Sequence, residues 1–177
     1  MALSENDRAV VEAFRTFMED SVGADERYGT GSRHDKPDGS QIATRFHAGG
    51  SCWFELAVTP AKPEVRVGFV TDDLVTNDGM MELIADAGQT MSEFVGVGFQ
   101  DAGLDWPDPP VNHAEQGGSY SFTTPLEIED LSDLDSDEIR DRVTRMIEGY
   151  LISFGPALLV EAETGGSEDD EVFDDDV

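Results

Sequence analysis

Hydrophobic residues near the start of the chain recur with the period of a helix. They lie at Val10, Val11, Phe14, Phe17, Met18 and Val22, and this 3.6-residue spacing places them on one face. Ser4 offers a capping hydroxyl just before the run, three residues ahead of Asp7. The pattern predicts a helix from Glu5 to Val22 whose apolar stripe packs against a sheet.

Three later segments alternate between apolar and polar residues, which is the pattern of half-buried strands. Residues 42–46, 52–58 and 65–69 each place their apolar side chains on one face. Because the connections between them are short, we expect antiparallel hairpins that form a meander. The opposite face carries a mixed set: Arg45, His47, Trp53, Glu55, Arg66 and Gly68.

Two further helical patterns and one more strand follow. A second helix is expected to begin at about residues 76–78 and to end between Gly96 and Gly103. Residues 104–118 contain three prolines and are expected to be irregular. A fourth strand over 120–124 should end at Pro125, and a short extension of this strand is expected after the proline. A third helix should begin at residues 135–136 and kink or stop at Gly155 and Pro156, although residues 157–160 favour another turn or two of helix. The stretch from Gly23 to Ser40 has hardly any apolar residue and is expected to be an exposed loop.

These elements predict a single α+β domain over residues 1–160. It has two layers, an antiparallel meander sheet packed against helices, in the order α, β, β, β, α, β(β), α. Residues 161–177 contain nine acidic residues and no basic one, and we expect them to form a disordered acidic tail.

Charge is the most unusual property of the composition. The 177 residues include 39 Asp and Glu against 11 Lys and Arg, a formal net charge of -28. Since only nine of the acidic residues lie in the tail, the folded part is acidic as well. Only two of the bases are lysines, and 38% of the residues are hydrophobic, so an ordinary core is expected. The composition resembles that of cytosolic proteins from salt-in halophilic archaea, in which molar salt screens the repulsion between surface carboxylates.

The order of elements resembles the small α+β fold of type III secretion chaperones and of YbjN-like proteins, over residues 4–160. This resemblance implies a protein-binding, chaperone-like or regulatory module that is frequently a homodimer and has no catalytic centre.

Several kinds of chemistry lack the residues they need. His34, His47 and His113 lie in different segments and Cys52 is the single cysteine, so we expect no metal site, no cofactor and no disulfide. Nucleic acid is not an expected partner, because phosphate contacts need clustered Lys or Arg. No segment reaches the ~18 apolar residues of a membrane span, and no leader pattern opens the chain. We therefore expect a cytoplasmic protein without a membrane partner.

An exposed aromatic surface is the first candidate site. Its residues, Trp53, Trp106, Pro109, Val111 and Tyr120, would line a groove for a protein partner or a second copy of the chain. The alternative for Trp106 and Val111 is that they only cover one end of the core. The second function considered is a small enzyme with its site between the loop 23–40 and His113.

Overall fold

The computed structural model describes residues 3–166, with side chains described as far as residue 158. Eleven elements follow one another in this part of the chain. They are α1 (Glu5–Gly23), β1 (Gly31–Arg33), β2 (Ile42–His47), β3 (Cys52–Thr59), β4 (Glu64–Thr71), α2 (Leu74–Asp86), α3 (Met91–Asp101), β5 (Asn112–Gln116), β6 (Ser119–Glu127), a short 3-10 helix (Leu131–Asp135) and α4 (Asp137–Gly166).

All six strands form one antiparallel sheet in the order β1-β2-β3-β4-β6-β5. The prediction of a two-layer α+β domain with a meander sheet is confirmed. Although two helices separate β4 from β6, these strands pair antiparallel, so no parallel βαβ unit is present among the described elements.

The core lies between one face of the sheet, here called the inner face, and the helices α1 and α4. Phe46, Phe54, Phe69 and Phe122 are paired across four neighbouring strands and all are buried. Phe154 of α4 stacks on Phe69 with ring centroids 5.1 Å apart and an interplanar angle of 6°. Aromatic side chains therefore hold the long helix against the centre of the sheet.

The predicted first helix is confirmed as α1, and the Ser4 side chain accepts a hydrogen bond from the Asp7 amide at 3.1 Å. Arg15 of this helix is only 5% exposed. Its guanidinium donates to Thr44 Oγ1 at 3.0 Å, to the Ala43 carbonyl at 2.6 Å and to both carboxylate oxygens of Asp35. One side chain thus joins α1, β2 and the segment that precedes β2.

Two predicted loops contain strands. Residues 23–40 include β1, and residues 104–118 include β5. Every residue of both strands is exposed, because they are the two edges of the sheet. An edge strand without a buried face needs no apolar alternation, which is why the pattern did not reveal them.

The predicted second helix is in fact two helices. Gly88 has a positive φ of 70° between α2 and α3, a conformation that glycine adopts without steric cost. Thr90 then caps α3 through a reciprocal pair of hydrogen bonds with Glu93. The helix begins again because residues 90–93 contain a complete start signal.

The predicted extension after Pro125 forms, since Leu126 pairs with Val65 of β4. β6 runs through Pro125 without a break. Because β5 pairs with β6 only as far as Thr123, Pro125 lies where β6 has an open edge and needs no second hydrogen-bonding partner. α4 also continues past Pro156, to Gly166, which extends the one or two further turns that the sequence allowed.

α4 extends to Gly166, and the remainder of the predicted tail, 167–177, lies outside the described residues. No helix in the described part of the chain is long and apolar enough to cross a membrane.

Candidate functional site

The five predicted site residues do not form one surface. Trp53 pairs with His47 and Val70 on the face opposite the core, here called the outer face. Tyr120 pairs with Thr71 and therefore points to the inner face. The sheet thus separates the two aromatic side chains that the prediction placed in one groove.

The remaining three predicted residues lie at one end of the core. The Trp106 ring is 5.9 Å from that of Phe99 and 5.0 Å from the guanidinium carbon of Arg142. Pro109 is buried, and Val111 is partly buried against the core. This placement agrees with the alternative in which Trp106 and Val111 cover the core.

An apolar groove of about 510 Å³ lies instead on the helical side of the domain. It runs between the β2–β3 hairpin and the second half of α4, and is here called the α4 groove. Its walls are Ala48, Phe54, Leu151, Ile152, Gly155, Pro156 and Leu158, with Arg27 and His47 at the rim. Tyr28 supports the floor, since its ring meets Phe54 edge-on at 5.8 Å, and burial raises the pKa of its hydroxyl.

The polar groups at the rim of the α4 groove are already paired. Arg27 forms ion pairs with Asp25 at 2.7 Å and Glu148 at 3.3 Å, and its hydrogen bonds lower the pKa of Asp25. His47 Nε2 lies 2.9 Å from the Gly50 carbonyl oxygen. An apolar ligand would therefore enter the groove without leaving a rim charge unpaired.

The sequence placed Leu151 on the apolar stripe of the third helix and indicated that Leu158 could continue this helix. It did not predict the α4 groove, because the groove depends on the position of α4 relative to Ala48 and Phe54.

A second cavity, a polar cleft of about 310 Å³, lies on the outer face of the sheet. It is here called the outer-face cleft, and its lining comes from β2, β3, β4, β5, β6 and the segment before β2: Lys36, Gln41, Arg45, Glu55, Arg66, Val70, Asn112, Ala114, Gln116, Ser119, Ser121 and Thr123. Because residues from five of the six strands, β2 to β5 in the strand order, line one cavity, the outer face is concave.

The charges of the outer-face cleft are fixed by pairing along the sheet. Arg45 Nε lies 2.8 Å from Glu55 Oε2, and Arg66 Nε lies 2.6 Å from Glu64 Oε1. Trp53 flanks the cleft, because the guanidinium carbon of Arg45 is 5.7 Å from the centre of its ring. Sequence reasoning named the polar face around Trp53, but it did not foresee the curvature that turns this face into a cleft.

The residues considered for a small enzyme do not share a cavity. The loop 23–40 contributes Arg27 to the α4 groove and Lys36 to the outer-face cleft, and His113 lines neither of them. His113 points to the inner face, where its Nε2 lies 2.8 Å from Asn77 Oδ1 and its ring is 4.4 Å from that of Phe122. The other loop histidine, His34, hydrogen-bonds Ser32 at 2.9 Å. The structure therefore does not bring the loop and His113 into one site.

Among residues 3–166, no group of three His, Cys, Asp or Glu side chains is placed to hold a metal ion. Cys52 is buried, with its sulfur 3.5 Å from Thr71 Oγ1.

Comparisons with protein-family models, with curated proteins and with solved structures yield no match to this chain. The chain is an α+β domain with an apolar groove on its helical side and a polar cleft on its open sheet face.

Proposed function

We propose that the protein is a non-catalytic association module that pairs with a second copy of its own chain through the α4 groove. The observation that carries this proposal is the groove itself, whose walls are apolar and whose rim charges are already paired. Burial of such a surface favours association by roughly 25 cal/mol per Å² of apolar area removed from water.

We propose a second copy of the chain as the occupant because α4 provides one wall of the groove and also an apolar segment that would bind in the groove of the other copy. Phe154 is the last fully buried residue of α4 among those with described side chains, yet the helix continues for twelve more residues. At 1.5 Å per residue, α4 is about 45 Å long, longer than the ~30 Å of the nine-residue strand β6. Its apolar sequence Ala157-Leu158-Leu159-Val160 follows directly after Pro156. In a two-fold dimer, the same patch of both chains would be buried by one contact.

The charge of the chain makes this association dependent on salt. Two chains of -28 each repel one another in dilute buffer, whereas at about 1 M salt the Debye length falls to about 3 Å. We therefore propose that the protein works in the concentrated salt of a salt-in archaeal cytoplasm. The scarcity of lysine and the distribution of acidic residues along the whole chain support this proposal.

The test is the molar mass in molar KCl, measured by size-exclusion chromatography with light scattering. The intact chain is expected at twice its monomer mass of 19.3 kDa. Leu158→Asp places a carboxylate in the groove wall and should give a monomer with an unchanged circular dichroism spectrum. The matched control is Val75→Asp on α2, where the apolar side chain is 74% exposed and lies outside the groove; it should remain dimeric.

A wild-type chain that stays monomeric at high concentration in molar KCl would overturn the proposal. Equal dissociation of both variants would also count against it, because the effect would then come from added charge rather than from the groove. If the wild type is monomeric but binds an amphipathic peptide in a Leu158-dependent manner, the groove holds another protein, as in a chaperone-like module.

A further inference from the structure

We propose that the outer-face cleft binds a small organic anion that carries at least two carboxylate or phosphate groups. The first argument is the local reversal of charge. The cleft is lined by three of the eleven Lys and Arg residues of the chain, but by only one of its 39 acidic residues. Glu64 pairs with Arg66 beside the lining, so the three cations face two carboxylates, Glu55 and Glu64. The cleft therefore keeps a charge of about +1 on a protein of net charge -28, and in molar salt this charge acts through direct contact with a bound anion.

Both arginines of the cleft have N–H groups that are available to a ligand. Arg45 and Arg66 each use Nε for the pair with a neighbouring carboxylate, and their Nη groups have no hydrogen-bond partner among the described residues. Glu64, which is 1% exposed, forms the ion pair that fixes the position of the Arg66 guanidinium. A guanidinium fixed through Nε presents its remaining N–H groups in a plane that suits carboxylate and phosphate oxygens.

The spacing of the arginines indicates a ligand with more than one anionic group. They lie on β2 and β4, with β3 between them, and Arg45 is level with Gly68 rather than with Arg66, so their Cα atoms are about 12 Å apart. The cleft of about 310 Å³ gives a ligand of metabolite size room to lie between the two guanidinium groups.

The opposite wall of the cleft offers neutral donors. Ser121, Thr123, Asn112 and Gln116 line it, together with Ser119. The Ser119 hydroxyl oxygen is buried and has no hydrogen-bond partner in the part of the chain that the structure describes. A buried polar atom without a partner is uncommon in folded proteins, and an oxygen of the ligand would accept its hydrogen bond.

Lys36 completes the site from the loop. Its neighbour Asp35 is held by Arg15 and also accepts a hydrogen bond from the Ala43 amide at 3.1 Å. The loop therefore has a fixed position at the edge of the sheet, and Lys36 reaches the cleft from there. Most of the cleft lining comes from the outer face of the sheet, whereas the α4 groove lies on the helical side, so anion binding and dimer formation can be measured separately.

Calorimetric titration in molar KCl tests this site, with citrate and pyrophosphate as probes and sorbitol as the neutral control. We expect one of the two anions to bind with one site per chain and a Kd below about 1 mM, and the preferred probe tells carboxylate from phosphate. Lys36→Gln should weaken binding about threefold, as expected for an exposed charge, and Arg66→Gln about tenfold or more.

Arg8 of α1 offers a control, because it is exposed and does not line the cleft. Arg8→Gln makes the same change in net charge and should leave the affinity unchanged. Absence of saturable heat with both anions would overturn the proposal, as would equal weakening by Lys36→Gln and Arg8→Gln. Since Lys36→Gln removes an exposed side chain only, the test remains decisive even if Arg66→Gln does not fold.

Discussion

At the scale of single residues, the buried side chain of Arg15 connects three parts of the fold. Its guanidinium satisfies oxygens of Thr44, Ala43 and Asp35 at once, and its hydrogen bonds hold the pKa of Asp35 below its ordinary value. It thereby fixes the loop that carries Lys36 to the outer-face cleft.

We predict that Arg15→Lys destabilises the domain by about 3 kcal/mol. A lysine ammonium is a compact donor that cannot reproduce the planar fork, so it leaves a buried charge with incomplete hydrogen bonding. Urea unfolding in molar KCl, followed by circular dichroism, measures the loss.

The control for this substitution is Arg33→Lys. Arg33 is exposed and pairs with Glu12 and Glu19 at the surface, so the change should cost less than about 1 kcal/mol. If both variants lose the same free energy of unfolding, the buried network contributes no more than a surface ion pair.

At the scale of elements, the closest contact between helices is that of α3 with α4. Gly98 of α3 lies against the Gly149 carbonyl and the Ser153 hydroxyl of α4, and Ser153 Oγ donates to the Phe94 carbonyl at 3.2 Å. A side chain at position 98 would overlap with these atoms.

We therefore predict that Gly98→Ala destabilises the protein by ~1–3 kcal/mol, as overpacking does, although alanine favours a helix interior by ~1 kcal/mol. The melting temperature in molar KCl measures the effect. Gly23→Ala at the end of α1 is the control, because an added Cβ there meets no atom within 4 Å; it should not lower the melting temperature. A melting temperature for Gly98→Ala equal to that of the wild type would mean that the two helices can separate at low cost.

The strands that face the core could be predicted from sequence, because burial on one side imposes alternation on residues 42–46, 52–58 and 65–69. The edges β1 and β5 could not, since exposed strands have no such constraint. The break at Gly88 and the passage of α4 through Pro156 depend on tertiary packing as well as on local preference.

The candidate sites show the same division. The polar set of Arg45, Glu55 and Arg66 was readable as one face of the sheet. The sequence did not show that Lys36 and Ser119 line the same cleft as this polar set, because sheet curvature brings these residues together from distant positions in the chain. Trp53 and Tyr120 were grouped for their residue type, whereas their strand register places them on opposite faces.

At the scale of the whole molecule, the net charge of -28 dominates the expected behaviour in solution. We predict that the melting temperature rises steeply from dilute buffer to molar KCl, because screening removes the repulsion between carboxylates in the folded state. Differential scanning calorimetry over a series of KCl concentrations measures this rise.

Sorbitol at matched osmolality is the control, since it is excluded from protein surfaces but screens no charge. A rise as large in sorbitol as in KCl would point to preferential exclusion. Full cooperativity and an unchanged melting temperature in salt-free water would remove the adaptation to salt from the proposed function.

Pro156 gives the α4 groove a direction. Because proline has no amide hydrogen, the Ile152 carbonyl lacks the donor that an uninterrupted helix would supply four residues later. Ile152 and Pro156 both line the groove. In the proposed dimer, an N–H or hydroxyl group of the second copy that reaches this carbonyl would form a hydrogen bond in one position along the helix and lose it in any shifted position, so the register of the dimer would be fixed.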